Sequence, residues 1–321
     1  MYHNQKKVTM LRRLALFIFC FYVPMAAEAR QINWQADESG YYANYAISWQ
    51  DFNGQTQSLR FKVEADHVEQ AQSDSQTLHA QEAVKVAYAK AVKEAKRSAR
   101  RGVNIQVIPR AGNLSFRASG PDERVVDREI ERVKRLADKE MQDYLRDQNY
   151  KMDGGVIETD YAKISRNNYF AMRPLARAIQ DQTRGQDIRG VVNYTLSFLQ
   201  TIPYKTYTPR SGDRFSALFN TPLRLIANNK GDCDDKSLAF GTLLKIMYPS
   251  LDVALVLVPG HAFVAMDIPT QAGDMTMTEG GRTYVLAEPV GPAAYPVGQI
   301  AQSSVDLARQ GYSFRHVPDR Y

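Results

Sequence analysis

Cysteine is nearly absent from this chain of 321 residues, which holds two, Cys20 and Cys233. Cys20 lies in an apolar run close to the start, so the rest of the chain carries a single thiol and cannot form an internal disulfide. In an oxidising compartment a lone thiol is a liability unless it is buried or used. Membrane-length apolar runs are also missing. LALFIFCFYV (residues 14–23) is shorter than the ~20 residues a spanning helix needs, and no later segment approaches that length. A strong excess of one charge is missing too. The formal net charge of +6 falls to +3 once residues 1–29, with four basic side chains and one acidic one, are set aside. That balance argues against nucleic acid as a partner. There is no internal repeat and no low-complexity tract.

The first 29 residues have the layout of an export signal. Lys6, Lys7, Arg12 and Arg13 precede the apolar run, and Ala27-Glu28-Ala29 fits an A-x-A cleavage site. Cleavage near Ala29 predicts an exported protein, periplasmic or secreted, with no stable membrane insertion.

Three segments organise the chain: 1–29 as signal peptide, 30–153 as an N-terminal α+β module, and 154–321 as a second domain. In the module, YYANYAISWQDFNGQTQSLRFKVEA (residues 41–65) alternates apolar and polar residues on either side of Asn53-Gly54, which predicts a β-hairpin. A helical pattern follows from about Glu69 to Arg100, then strand-like residues 104–119. A second long helix runs from Pro121-Asp122 to about Tyr150, with an apolar stripe of Val126, Ile130, Val133, Met141 and Tyr144. Its dense mixed charges, like the KRSARR cluster (96–101), read as a solvated face laced with i,i+4 pairs. Met152-Asp153-Gly154-Gly155 is the predicted boundary. Beyond it, LARAIQDQ after Pro174 and IRGVVNYTLSFLQ (188–200) predict two short helices. NNKGDCDDKSLAFGTLL (228–244) opens another of about fifteen residues, and VALVLV, HAFVAMDI and TYVLAEPV predict three strands.

The chemistry gathers in these last elements. Asp232 is placed to cap the helix and Asp235 follows three residues later, a carboxylate form of the capping box. Cys233 then sits in the first turn, where the helix dipole and free N–H groups favour a thiolate and can hold an oxyanion. Asp232 and Asp235, engaged by backbone N–H groups, need not oppose the thiol. Of the five histidines, His3 lies in the leader, His67 and His79 in the module and His316 in the tail. His261 alone opens a core strand. Alternation puts His261, Phe263 and Ala265 on one face of their strand, and gives Tyr284, Leu286 and Glu288 a shared face on theirs. A helix across these strands would bring Cys233, His261 and Glu288 together as nucleophile, base and orienting acid. Asp267, the rival acid, lies roughly 20 Å along the strand from His261, at ~3.3 Å per residue. One Cys, one His and scattered carboxylates lack the paired spacing of a zinc site, and GDCDD has no EF-hand spacing. No metal and no cofactor are expected.

GDCDDKS, then VPGHAFVAM, then YVLAEP, with steps of 28 and 27 residues, resembles the transglutaminase-like superfamily of cysteine peptidases and acyltransferases. SFLQTIPYKTY is similar to that family's lead-in helix and loop. The resemblance covers about residues 170–292. It implies a papain-like core, a nucleophile helix packed on an antiparallel sheet, preceded here by a smaller α+β module with two long helices. It also implies Cys233 as nucleophile, His261 as general base and acid, and Glu288 as orienter where many members have Asp. Gln200 and Tyr204 become oxyanion or substrate-lining residues. The activity implied is amide hydrolysis through a thioester acyl-enzyme, on a protein or peptide with an accessible amide. Acyl transfer to an amine, and a non-catalytic envelope binding or assembly role, remain as alternatives.

Overall fold

A computed structural model describes residues 28–74, 80–110, 113–206 and 219–319. Residues 1–27 of the expected signal segment, His79 and most of the loop after Tyr204 lie outside the described residues. Among those described, no helix is long and apolar enough to cross a membrane.

Three antiparallel strands come first: β1 (Arg30–Ser39), β2 (Tyr42–Gln50) and β3 (Thr56–Glu64), in that order. The β2–β3 hairpin is the one that the alternation predicts. Asp51 Oδ1 accepts the N–H groups of Asn53 and Gln55 in its turn, both at 2.9 Å, and Gly54 takes a positive φ of 74°. Ala43, Tyr45, Ile47 and Trp49 point to one face with Leu59 and Val63 beside them. β1 has no expected counterpart. Both its faces are largely exposed, so it carries no apolar alternation to betray it.

Next come α1 (Ala65–Ser73), α2 (Ala80–Ala99), the hairpin of β4 (Asn104–Arg110) and β5 (Asn113–Ser119), and α3 (Glu123–Asp147). Asp122 caps α3, its carboxylate accepting from Arg124 and Val125 N–H. α2, β4, β5 and α3 close around a small core of their own, built from Ala87, Ala91, Ala95, Val103, Ile105 and Val133 among others. A second core takes in Trp49 and Leu59 of the first sheet together with α1 and continues into the C-terminal half. Trp49 Nε1 donates to Ser197 Oγ at 3.0 Å, and Tyr194 OH donates to Ser58 O at 2.9 Å. Packing is therefore continuous across residue 153, where β6 (Tyr150–Asp153) and β7 (Val156–Thr159) form a tight hairpin.

α4 (Tyr161–Gln182) differs from the expected short helix after Pro174: it runs straight through that proline. An interior proline costs ~3 kcal/mol. The buried stripe of Ile164, Ala171, Met172, Leu175, Ala176 and Ile179 offsets it, each of these side chains being at most 8 % exposed. α5 (Ile188–Thr201), α6 (Pro222–Asn228) and α7 (Cys233–Met247) follow, α7 being buried on nearly all sides.

Then come β8 (Val253–Val258), β9 (His261–Met266), β10 (Thr276–Glu279), β11 (Arg282–Ala287), α8 (Gln302–Gln310) and β12 (Ser313–His316). The sheet order is β10-β11-β9-β8-β12, all pairs antiparallel, with β9 central. One face (Leu255, Val264, Met266, Val285, Ala287) joins the core around α7. The other (Val256, Phe263, Ala265, Tyr284, Leu286) packs against Ile300 and α8. The architecture is thus mixed α+β, helices packed on antiparallel sheets, one of which curls into a half-barrel.

Candidate active site

The start of α7 is fixed before any chemistry is considered. Asp232 Oδ1 accepts Asp235 N–H and Asp235 Oδ2 accepts Asp232 N–H, both at 3.2 Å, which closes the predicted capping box. Asp235 is buried, and Asn220 satisfies it further by donating its backbone N–H at 2.6 Å and its side-chain amide at 2.8 Å. Gly231 makes room for this: a Cβ there would meet Leu225 Cδ1 at 2.4 Å and Asp235 Oδ2 at 2.8 Å.

Cys233 follows, 7 % exposed and free of any disulfide. Three groups touch its sulfur. Sγ donates to Asp234 Oδ1 at 3.4 Å, Tyr204 hydrogen-bonds to it, and the Ala262 N–H is directed at it. Ser237, one turn later on α7, donates to Ala262 O at 3.3 Å, so the helix start lies against the start of β9. Asp234, for which the sequence offered no role, also accepts from Tyr161 OH of α4 at 2.5 Å.

His261 opens β9 beside Ala262, after a Pro259-Gly260 turn in which Gly260 takes φ of 73°. Leu286 pairs with Ala265 and Ala287 with Val264, so the register carried on by one residue sets Glu288 opposite Phe263. His261 is then its diagonal neighbour on the same face, within reach of a long side chain. The imidazole Nε2 meets Glu288 Oε1 at 2.7 Å. Glu288, 5 % exposed, also accepts from Ser304 Oγ at 2.9 Å and from Ala301 N–H at 2.7 Å, both at the start of α8. Burial works to raise this carboxyl, but the bonds from His261, Ala301 and Ser304 outweigh it and hold it below the usual range.

The pairing of Cys233 with His261 is less complete than that of His261 with Glu288. Among the described residues no hydrogen bond joins the thiol to the imidazole: the thiol donates to Asp234, the imidazole is bonded to Glu288, and Nδ1 of His261 has no partner. Burial, then Asp234 and Asp232, push the thiol well above its ordinary value. The helix start and its capped aspartates were expected to leave a thiolate favoured. Instead, the carboxylates reinforce the protonated thiol. Burial and Asp234 push Asp232 itself up to about 6, and burial with Asp232 drives Asp235 well above its usual value. Tyr204, half-exposed beside the sulfur, is pushed up to about 12 by burial and the neighbouring thiol.

Gln200, at the end of α5, is buried and donates both amide hydrogens to backbone carbonyls, Glu288 O at 2.8 Å and Tyr295 O at 2.9 Å. Its Oε1 has no partner among the described residues. Both amide hydrogens of Gln200 are thus engaged, and its visible effect is to hold the Glu288 backbone. Cys233 N–H lies in the first turn of α7, where a helix leaves its N–H groups without intrahelical partners. Asp267 lies beyond the far end of β9 and faces Arg282 at 3.8 Å.

Two contacts of these residues were not legible in the sequence: Tyr161 on Asp234 and Ser304 on Glu288. Tyr161 and Asp234 are 73 residues apart, and only the packing of α4 on α7 joins them. Comparison of the chain with family models, with curated proteins and with solved structures found no match.

Proposed function

We propose that the chain is a cysteine-dependent amide hydrolase with a papain-like, transglutaminase-like core, exported after cleavage near Ala29. The observation that carries this reading is the His261–Glu288 pair at 2.7 Å, its carboxylate buried and held by three donors, on the strand against which Cys233 opens α7. A histidine oriented through Nε2 by a fixed carboxylate keeps Nδ1 as its working nitrogen.

In this reading Sγ turns from Asp234 toward His261 and attacks the amide carbonyl as its proton passes to Nδ1. The carbonyl oxygen, now carrying the negative charge, is held by Cys233 N–H and the Tyr204 hydroxyl. The C–N bond breaks, the amine leaves with the proton from Nδ1, and a thioester remains on Cys233. Water then adds to the thioester, giving its proton to Nδ1, and the thiol departs with that proton. A protein or peptide amide is the substrate class. An amine in place of water would make the same site an acyltransferase.

A second reading, a binding or assembly protein that keeps the fold without the chemistry, draws on one observation. The thiol is bonded to Asp234 rather than to the base, and it is raised rather than lowered. Incubation with p-nitrophenyl acetate separates the two. The hydrolase reading expects a burst of nitrophenol stoichiometric with protein, an acetyl group on the Cys233 peptide by mass spectrometry, and neither in Cys233→Ala. A folded wild-type protein that never acetylates at Cys233 refutes it.

A further inference from the structure

One charged group near Cys233 has no part in that mechanism. Lys236, the fourth residue of α7, is 0 % exposed. An ammonium has three hydrogens to place, and among the described residues its Nζ finds one acceptor, Ile202 O at 2.5 Å. Two effects disfavour a cation here. Burial removes its hydration, and the first turn of a helix is the positive end of the dipole. Such a charge persists only where negative groups face it. Ile202 caps the C-terminus of α5, the negative end of that helix, and Asp232, Asp235 and Cys233 are the ionisable groups that act on Nζ.

The bond to Ile202 also reaches the thiol along the chain. Pro203 O accepts Gly231 N–H at 3.2 Å and Gly231 O accepts Lys205 N–H at 3.0 Å, so residues 202–205 are pinned against the lead-in to α7. Tyr204, in the middle of that segment, bridges to Gly231 and places its hydroxyl on the sulfur.

We propose that Lys236 is a positioning residue of the Cys233 site: its buried ammonium fixes the 202–204 segment, seating Tyr204 beside the thiol, and supplies the positive charge against which a thiolate forms. The inference rests on the cysteine-hydrolase reading and adds to it the source of charge balance. The site otherwise sets Asp232 and Asp234 on the same helix, Tyr204 from the segment after α5, and Tyr161 from α4 (through Asp234) around the sulfur. His261 at the start of β9 is the other cation when protonated. Burial pushes the Lys236 ammonium down to about 8, with Asp235, Asp232 and the thiolate opposing the fall, so it still carries charge at neutral pH.

The test is the pH profile of Cys233 alkylation by iodoacetamide, a neutral probe, in the full chain. Lys236→Met is expected to shift the profile upward by about one pH unit, a roughly tenfold slower reaction on its acidic limb. Lys236→Arg, which keeps the charge, is expected to retain the wild-type profile. An unshifted Lys236→Met profile in a protein whose alkylation depends on His261 overturns the role of Lys236 alone. A wild-type profile indifferent to His261→Ala removes the cysteine-enzyme reading and the positioning role with it. Should Lys236→Met fail to fold by circular dichroism, NMR titration of the Lys236 Cε in wild-type protein locates its midpoint. An alkylation profile whose slope flattens at that midpoint, as the ammonium is lost, supports the inference, and one that passes through it without a break overturns it.

Discussion

The α2–α3 module and the start of α7 both bury charge, and they do so in opposite ways. In the module, Glu94 is 2 % exposed and accepts from Arg97 at 2.6 Å and Arg132 at 2.8 Å. Glu129 accepts from Ser98 at 2.7 Å and from Arg132 at 3.0 Å. The Arg132 bond lowers Glu94 and the Ser98 bond leads in lowering Glu129, so both carboxylates sit below their ordinary range. Around Cys233, Asp232 and Asp235 are raised, the thiol is raised and Lys236 is lowered, with burial the leading cause each time. The module closes these two carboxylates with arginine partners, whereas the α7 start holds several charges whose balance is open to change. Perturbed groups of that second kind concentrate at functional sites, while paired networks are the usual mark of structure.

Breaking the module pair should cost stability and leave the chemistry alone. Arg132→Met leaves Glu94 buried with Arg97 as its one remaining arginine, and is expected to lower unfolding stability by about 3 kcal/mol. Urea denaturation measures this, and acetylation of Cys233 should be unchanged. A variant that loses acetylation in step with stability would erase the contrast between the two regions.

Glu288→Gln sharpens the contrast through pH. Glu288 titrates below its ordinary value in the folded protein. Its contribution is therefore present above the usual carboxylate range and lost as pH falls through the folded value. The variant should be less stable by about 2 kcal/mol at neutral pH, the scale of a hydrogen bond to a charged group. Thermal melts should show that gap closing in acid, and a gap of constant size would mean that the carboxylate charge is irrelevant there.

Asp234→Asn is the gentlest change. It removes a charge that raises the thiol while keeping a side chain able to bond Tyr161. Alkylation of Cys233 at neutral pH should quicken by several-fold, on the order of half a pH unit. A slower reaction would mean that Asp234 orients the sulfur and does not restrain it.

Much of the second half could be read from residues alone, because its signals are local. The GDCDD run specified its own capping box, and the alternation in HAFVAM and TYVLAEP grouped His261 with Phe263 and Glu288 with Leu286, leaving only the strand register to join them. What escaped depended on distant partners. Pro174 reads as a helix boundary until α7 covers the apolar stripe on either side of it. SFRH, only four residues long, becomes β12 because β8 offers a free edge. Gln200 was legible as a polar residue at the end of an apolar helix, but not its attachment to Glu288 O and Tyr295 O, 88 and 95 residues away. Nor did local sequence place Asp234 against the thiol, a contact decided by side-chain rotation about one turn of helix.

The partnership of Cys233 with His261 is tested most directly by the pH–rate profile of Cys233 acetylation in wild-type protein and in His261→Ala. The expected result is a wild-type profile with an inflection that disappears in the variant, and a rate down 10²- to 10⁴-fold there, the usual scale for a lost general base. Profiles that coincide, with the thiol reacting only as pH approaches its own raised value, would contradict it.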